Sequence, residues 1–98
     1  MSFEQKLNEL RISVDETDEL LYNTILKRVM LISQIGLLKK EYGVSEMCEE
    51  RRNQILSKVK QWAIEDQIPV YLVCDIFEKL IDNSVIEQVL IIHEKERD

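Results

Sequence analysis

Apolar and charged side chains alternate with helical spacing through the first forty residues. One row reads Leu7, Arg11, Val14, Asp18, Leu21, Ile25, Arg28, Ile32, Ile35, Lys39. A step of three or four residues sustained this long predicts one helix from about Phe3 to Glu41, with its stripe turned toward other helices. Gly36 is the one breaker in that run, and its small size suits a close helix crossing. Tyr42 to Cys48 read as a loop carrying Gly43, with Ser45 or Cys48 as candidate caps for the next helix. That second helix is predicted from about Glu49 to Asp66, where Ile55, Leu56, Val59, Trp62 and Ala63 share a face. Pro69 fits the first turn of a third helix, because proline lacks the N–H that the first turn leaves unused. The third helix runs to about Glu94 with Val73, Ile76, Phe77, Leu80, Ile81, Val85 and Ile92 inward. Trp62, Phe77 and the Ile and Leu rows are the expected core. No linker, repeat or low-complexity stretch divides the chain, so residues 1–98 read as a single all-α domain.

The first helix is too long for such a domain. Nearly forty residues extend roughly 55 Å at 1.5 Å per residue, more than two shorter helices can cover. A stripe of that length is expected to lie against a copy of itself, giving an intertwined, domain-swapped homodimer.

Composition narrows the partners. The 98 residues contain two Gly and one Pro and carry a formal net charge of −6. Nucleic acid is disfavoured, since a duplex binder needs a basic face. The basic residues are dispersed rather than blocked, which disfavours a membrane surface. No leader or apolar run of transmembrane length is apparent, and the cytoplasm is the expected compartment. Cys48 and Cys74 follow no metal-binding spacing and the single histidine, His93, falls near the C-terminus. Free thiols, a solvated His93 and no metal are therefore expected.

The cations carry the chemistry. Arg11, Arg28 and Lys39 lie in the apolar stripe and Arg51 opens the next helix, while Asp18 supplies the one opposite charge in the row. Charges on a buried seam are costly unless they are paired or bind an anion, so the surplus points to a small, multiply negative ligand. Arg28 and Lys39 are eleven residues apart, which is three turns on nearly one face and about 16 Å. A small dicarboxylate held between two long side chains fits that separation. Arg11 and Arg28 are about 25 Å apart along the helix. If both serve one pocket, they must come from different chains. Ser84 and Gln88 stand at i and i+4 and point the same way from the third helix.

Leu10-Arg11 with Val14, Asp18 and Leu21, then Lys27-Arg28, Ile35-Gly36-Leu37-Leu38-Lys39, Glu50-Arg51 and Ser84-Val85-Ile86-Glu87-Gln88 form an ordered set. In order and spacing it resembles the all-helical chorismate mutase family over nearly the whole chain. The resemblance implies a domain-swapped dimer with two equivalent sites. Each would be lined by Arg28, Lys39, Arg51, Ser84 and Gln88, with Arg11 entering from the partner chain. It also implies a cofactor-free isomerase of aromatic amino acid biosynthesis that turns chorismate into prephenate. That reaction is a one-substrate pericyclic rearrangement, which needs no nucleophile or metal. The site must hold two carboxylates in a folded geometry and stabilise negative charge growing on the ether oxygen. Arginine forks suit the first task. Lys39 and Gln88 suit the second, and a glutamine donates without needing protonation, so a flat rate profile through neutral pH is expected.

The chain departs from the family pattern where a glutamate usually follows the arginine of the second helix to bind the ring hydroxyl. Arg52 stands there, and Cys48 replaces the aspartate that often opens the segment. Arg52 is counted among the substrate-binding candidates; otherwise it points outward with Glu49 or Glu50 turned in as the missing carboxylate, or backbone and water alone bind the hydroxyl, or the substrate differs. Isochorismate-pyruvate lyases share the fold and also tend to lack that glutamate, so a lyase remains an alternative. Ser84 matches the mutase pattern instead. A 4-amino-4-deoxychorismate mutase is disfavoured, because an inward Arg52 would repel the substrate's ammonium. A catalytically weak or regulatory scaffold, acting with a larger pathway enzyme, is the reading from a different functional class.

Overall fold

The computed structural model describes residues 2–46 and 48–94, and among them the chain is all-α with three helices: α1 (Phe3–Tyr42), α2 (Glu49–Asp66) and α3 (Val70–Ile92). The predicted elements form within one or two residues of their expected ends. Pro69 lies at the N-cap of α3 rather than inside its first turn, and α3 stops at Ile92 rather than Glu94.

Local chemistry explains the boundaries. Ser2 and Gln5 form a reciprocal box at the start of α1. The Ser2 N–H donates to Gln5 Oε1 at 2.9 Å, and the Gln5 N–H donates to Ser2 Oγ at 3.1 Å. Two amides that a helix start leaves orphaned are thereby satisfied. At the other end Gly43 adopts φ 67°. The Val44 N–H then reaches Lys39 O at 2.8 Å and the Gly43 N–H reaches Lys40 O at 3.3 Å. This is a Schellman closure, with glycine in the left-handed position it favours. α2 ends with the same pair of bonds, from Ile68 to Ala63 and from Gln67 to Ile64, but the left-handed residue is Gln67 at φ 58°. Cys48 occupies the N-cap of α2 without a side-chain cap bond; Glu49 and Glu50 in the first turn complement the helix dipole instead.

The chain forms two compact units, residues 1–31 and 32–98. In the second, α2 packs on α3. Val59 and Ala63, one turn apart on α2, are buried with Ile81 of α3, and the buried face of α3 continues through Ser84 and Gln88. The end of α1 in this unit also approaches α3. A Cβ on the buried Gly36 would stand 3.1 Å from Ile91 Cδ1 and 3.4 Å from its Cβ and Cγ2. A side chain at this position would therefore require Ile91 to shift by a few tenths of an ångström. Trp62 departs from expectation: predicted as core, it is 52% exposed, and Ile76 is also exposed. Both lie off the narrow line along which α2 and α3 meet. Phe77 is half-buried.

The first unit is helix alone. Within it no other element covers the predicted stripe, so Arg11, Val14, Asp18 and Leu21 are exposed, and Leu7, Ile25 and Arg28 are half-buried. Among the described residues no helix is long and apolar enough to cross a membrane, and no group of three or more His, Cys, Asp or Glu is placed to hold a metal ion.

Candidate active site

The second unit brings Lys39 of α1 and Gln88 of α3 into direct contact across 49 residues of sequence, with Lys39 Nζ donating to Gln88 Oε1 at 2.7 Å. A lysine ammonium donates three hydrogens and accepts none. The amide oxygen of Gln88 must therefore face it, which leaves the Gln88 NH₂ group as the donor on the other side. Gln88 is only 6% exposed, so this amide has little freedom to turn. The charge-assisted bond orients two donor groups side by side.

Lys39 is held a second time, by the loop after α1. Its Nζ also donates to Glu46 O at 3.4 Å. The Glu46 side chain in turn meets His93 just beyond α3, with Oε2 and Nε2 3.2 Å apart. The Glu46 carboxyl has its pKa held below the ordinary value of 4.5, first by a hydrogen bond from its own backbone, then by His93, with smaller help from the Lys39 charge. These contacts were not legible in the sequence, where His93 reads as solvated. Its side chain is indeed 62% exposed, yet it is paired.

The remaining candidates lie on α3, on α2 and in the first unit. Ser84 sits one turn before Gln88 on the same buried face, and its hydroxyl donates to Leu80 O at 2.7 Å. Arg51 is exposed on the first turn of α2. Arg52 reaches across to α3, where its Nη1 lies 3.0 Å from Asp82 Oδ1. Both side chains of this pair have solvent access, so its contribution to stability is small. Its consequence is orientation, because Asp82 holds Arg52 along the α2–α3 surface. A cleft of about 360 Å³ lies there, lined by Cys48, Glu49, Arg52, Ile81, Asp82, Val85 and Ile86, a volume of the order that small-molecule sites use. Glu49 lines this cleft; Glu50 does not. Asp82 is the residue that sequence reasoning missed, since nothing in its spacing marks it as the partner of a cation thirty residues earlier. Arg11 and Arg28 belong to the first unit, the former exposed and the latter half-buried.

Comparison with known proteins bears on the family of the chain. The chain is 30% identical over 84 residues to the T-protein of Haemophilus influenzae, a match covering 86% of this chain and 22% of that protein. It is 27% identical over 79 residues to the T-protein of Enterobacter agglomerans, covering 81% of this chain and 21% of that one. The chain thus spans about a fifth of the length of the curated relatives it matches. Residues 10–89, which include Arg11 at one end and Gln88 at the other, match the family described as chorismate mutase type II. The chain belongs to the chorismate mutase type II family, a family of isomerases.

Proposed function

We propose that this protein is a cofactor-free chorismate mutase that works as an intertwined homodimer, converting chorismate to prephenate in aromatic amino acid biosynthesis in the cytoplasm. The observation that carries the reading is the Lys39–Gln88 contact at 2.7 Å. It makes a preorganised pair of donors of the kind a breaking C–O bond requires. As negative charge grows on the ether oxygen, one ammonium hydrogen of Lys39 and the NH₂ of Gln88 converge on it. Donors fixed beforehand cost no reorganisation in the transition state, and each is worth roughly 10²–10³ in rate. Burial of Gln88 strengthens the effect by excluding water.

In this reading Arg28 from α1 and Arg51 from α2 bind the substrate's carboxylates, while Lys39 keeps its one uncommitted hydrogen for the ether oxygen. Arg11 is supplied by the second copy, whose α1 also covers the exposed stripe. Ser84 lies one turn from Gln88 and bounds the same surface of α3. The domain 1–98 is thus one unit of a site completed by two chains. Arg52, held by Asp82, stands where the family pattern has a ring-hydroxyl glutamate, and Glu49 in the same cleft supplies the carboxylate. The substitution also favours testing isochorismate as a second substrate.

The test is a parallel turnover assay of purified protein on chorismate and isochorismate, with mass measurement in solution. Prephenate from chorismate by a dimer is the expected result. Pyruvate and salicylate from isochorismate, at higher efficiency, would make the protein a lyase. No turnover of either would bring forward a binding or regulatory role beside a larger enzyme.

A further inference from the structure

We propose that Glu46 and His93 form a clasp that pins the α1–α2 loop to the end of α3 and thereby positions the Lys39 ammonium. The inference rests on the mutase reading for the meaning of Lys39, and on separate contacts for the clasp itself.

Three links run in series. The Gly43 turn folds the chain back, so that the Val44 N–H bonds to Lys39 O at 2.8 Å and the loop starts from the backbone of the lysine itself. Glu46 then presents its carbonyl to Lys39 Nζ at 3.4 Å. Finally the Glu46 carboxylate meets His93 Nε2 at 3.2 Å, which ties the loop to α3 five residues beyond Gln88. Lys39 is therefore held from two directions, by the Gln88 amide oxygen and by the Glu46 carbonyl, and only the second depends on a loop. A glycine-led loop with no such tether samples many backbone states. Pinning its far end removes that freedom and fixes where the carbonyl sits.

The surroundings are consistent with a tether rather than an isolated surface pair. Lys40, Val44, Ser45, Glu46, Ile92 and His93 are among the residues lining a second, open recess. From α1, Lys40 Nζ donates to Glu94 O at 3.4 Å, a further bond between the same two chain ends. The charged groups around the clasp are thus Lys39, whose charge acts on Glu46, Lys40 from α1, which lines the same recess as His93, and Glu94 beside it. The Glu46 side chain is 23% exposed, against 62% for His93, so the carboxylate is the better-sheltered partner. His93 acts through Glu46 and touches no reacting atom; both are positioning residues.

The experiment compares the wild-type protein with His93→Ala, His93→Gln and Glu46→Ala, reading kcat and KM on chorismate, melting temperature, and amide hydrogen exchange at Val44. Removing the clasp should lower kcat about fivefold, as expected for loss of one exposed charge-assisted bond, with KM little changed. Exchange at Val44 should quicken while amides in the α2–α3 core keep their protection. Glutamine at position 93 retains an N–H donor for Glu46 and should restore most of both losses. A structural role alone would instead lower the melting temperature and loosen core amides together. Wild-type kcat and wild-type Val44 exchange in His93→Ala would overturn the clasp, as would equal impairment of the Ala and Gln variants. A wild-type protein inactive on chorismate would overturn the mutase reading, and the exchange at Val44 would then decide the clasp by itself.

Discussion

The two units of this chain treat the same helix in opposite ways. Up to Leu31, α1 carries Leu10, Val14, Leu20, Leu21 and Leu26 in the open, with Leu21 53% exposed, and within that unit nothing lies against them. From Ile32 onward, the end of α1 comes so close to α3 that a Cβ at position 36 would press on Ile91. Every buried residue among those described, including the polar Ser84 and Gln88, belongs to this second unit. An apolar face of that extent is not a stable surface in water. The contrast teaches that one chain suffices to bring Lys39 against Gln88, whereas the proposed dimer is what would cover the apolar face of the first unit.

Breaking the first unit should have the largest effect. Leu21→Asp places a charge in the middle of the exposed stripe. If a second copy covers that stripe, the substitution should yield monomers by light scattering and lower turnover more than a hundredfold, since an unpaired buried charge costs several kcal/mol. Dimers with unchanged activity would show that Leu21 faces solvent in the working protein.

Breaking the second unit should cost rate and leave assembly intact. Gln88→Glu replaces a permanent donor by a group that donates only when protonated. The Lys39 ammonium beside it favours the charged form and lowers the new carboxyl's pKa. Activity near pH 7 should therefore fall roughly 10²- to 10³-fold, recover as the pH is lowered, and leave the dimer mass unchanged. A flat profile in this variant would remove Gln88 from the chemistry.

Gly36→Val tests whether the close α1–α3 approach sets that donor pair. The added branches would meet Ile91, and overpacking of this kind costs about 1–3 kcal/mol. A lower melting temperature accompanied by lower kcat is expected, because Gly36 lies one turn before Lys39 and Ile91 three residues after Gln88. The smallest change should be favourable. Gln67→Gly relieves a left-handed conformation at the end of α2 and should stabilise the fold by up to about 1 kcal/mol in chemical denaturation, with no effect on kcat.

Acid should open the loop before it unfolds the core. The Glu46 carboxyl pKa is lowered in the folded protein, so its contribution is present above the ordinary value of 4.5 and is lost as pH falls through the lowered value. Corrected for the intrinsic rate, amide exchange at Val44 should quicken on acidification before the helical circular dichroism is lost.

Periodicity made the helices legible. Three- and four-residue spacing, Gly43 and Pro69 locate all three elements to within a residue or two, because helix formation is read from local pattern and local caps. The cationic positions were legible for a related reason, since a charge in an apolar row is anomalous wherever the row ends up. Trp62 was misread because spacing tells which residues share a face, not how wide the contact with the neighbouring helix will be. The Ser2–Gln5 box was present as a local signal, a serine followed three residues later by glutamine, and it marks the start of α1 more sharply than the apolar row does.

What the sequence by itself determined is therefore the set of helices, the family, and which cations are available for an anionic substrate. Tertiary structure alone decided that Lys39 meets the oxygen of Gln88, that Asp82 holds Arg52, and that Glu46 and His93 join the loop to α3. Each of these pairs brings together side chains from separate elements, from 30 to 49 residues apart. No local spacing encodes such meetings; they arise when close packing at Gly36 and the Val59–Ala63–Ile81 core fixes how the helices lie against one another.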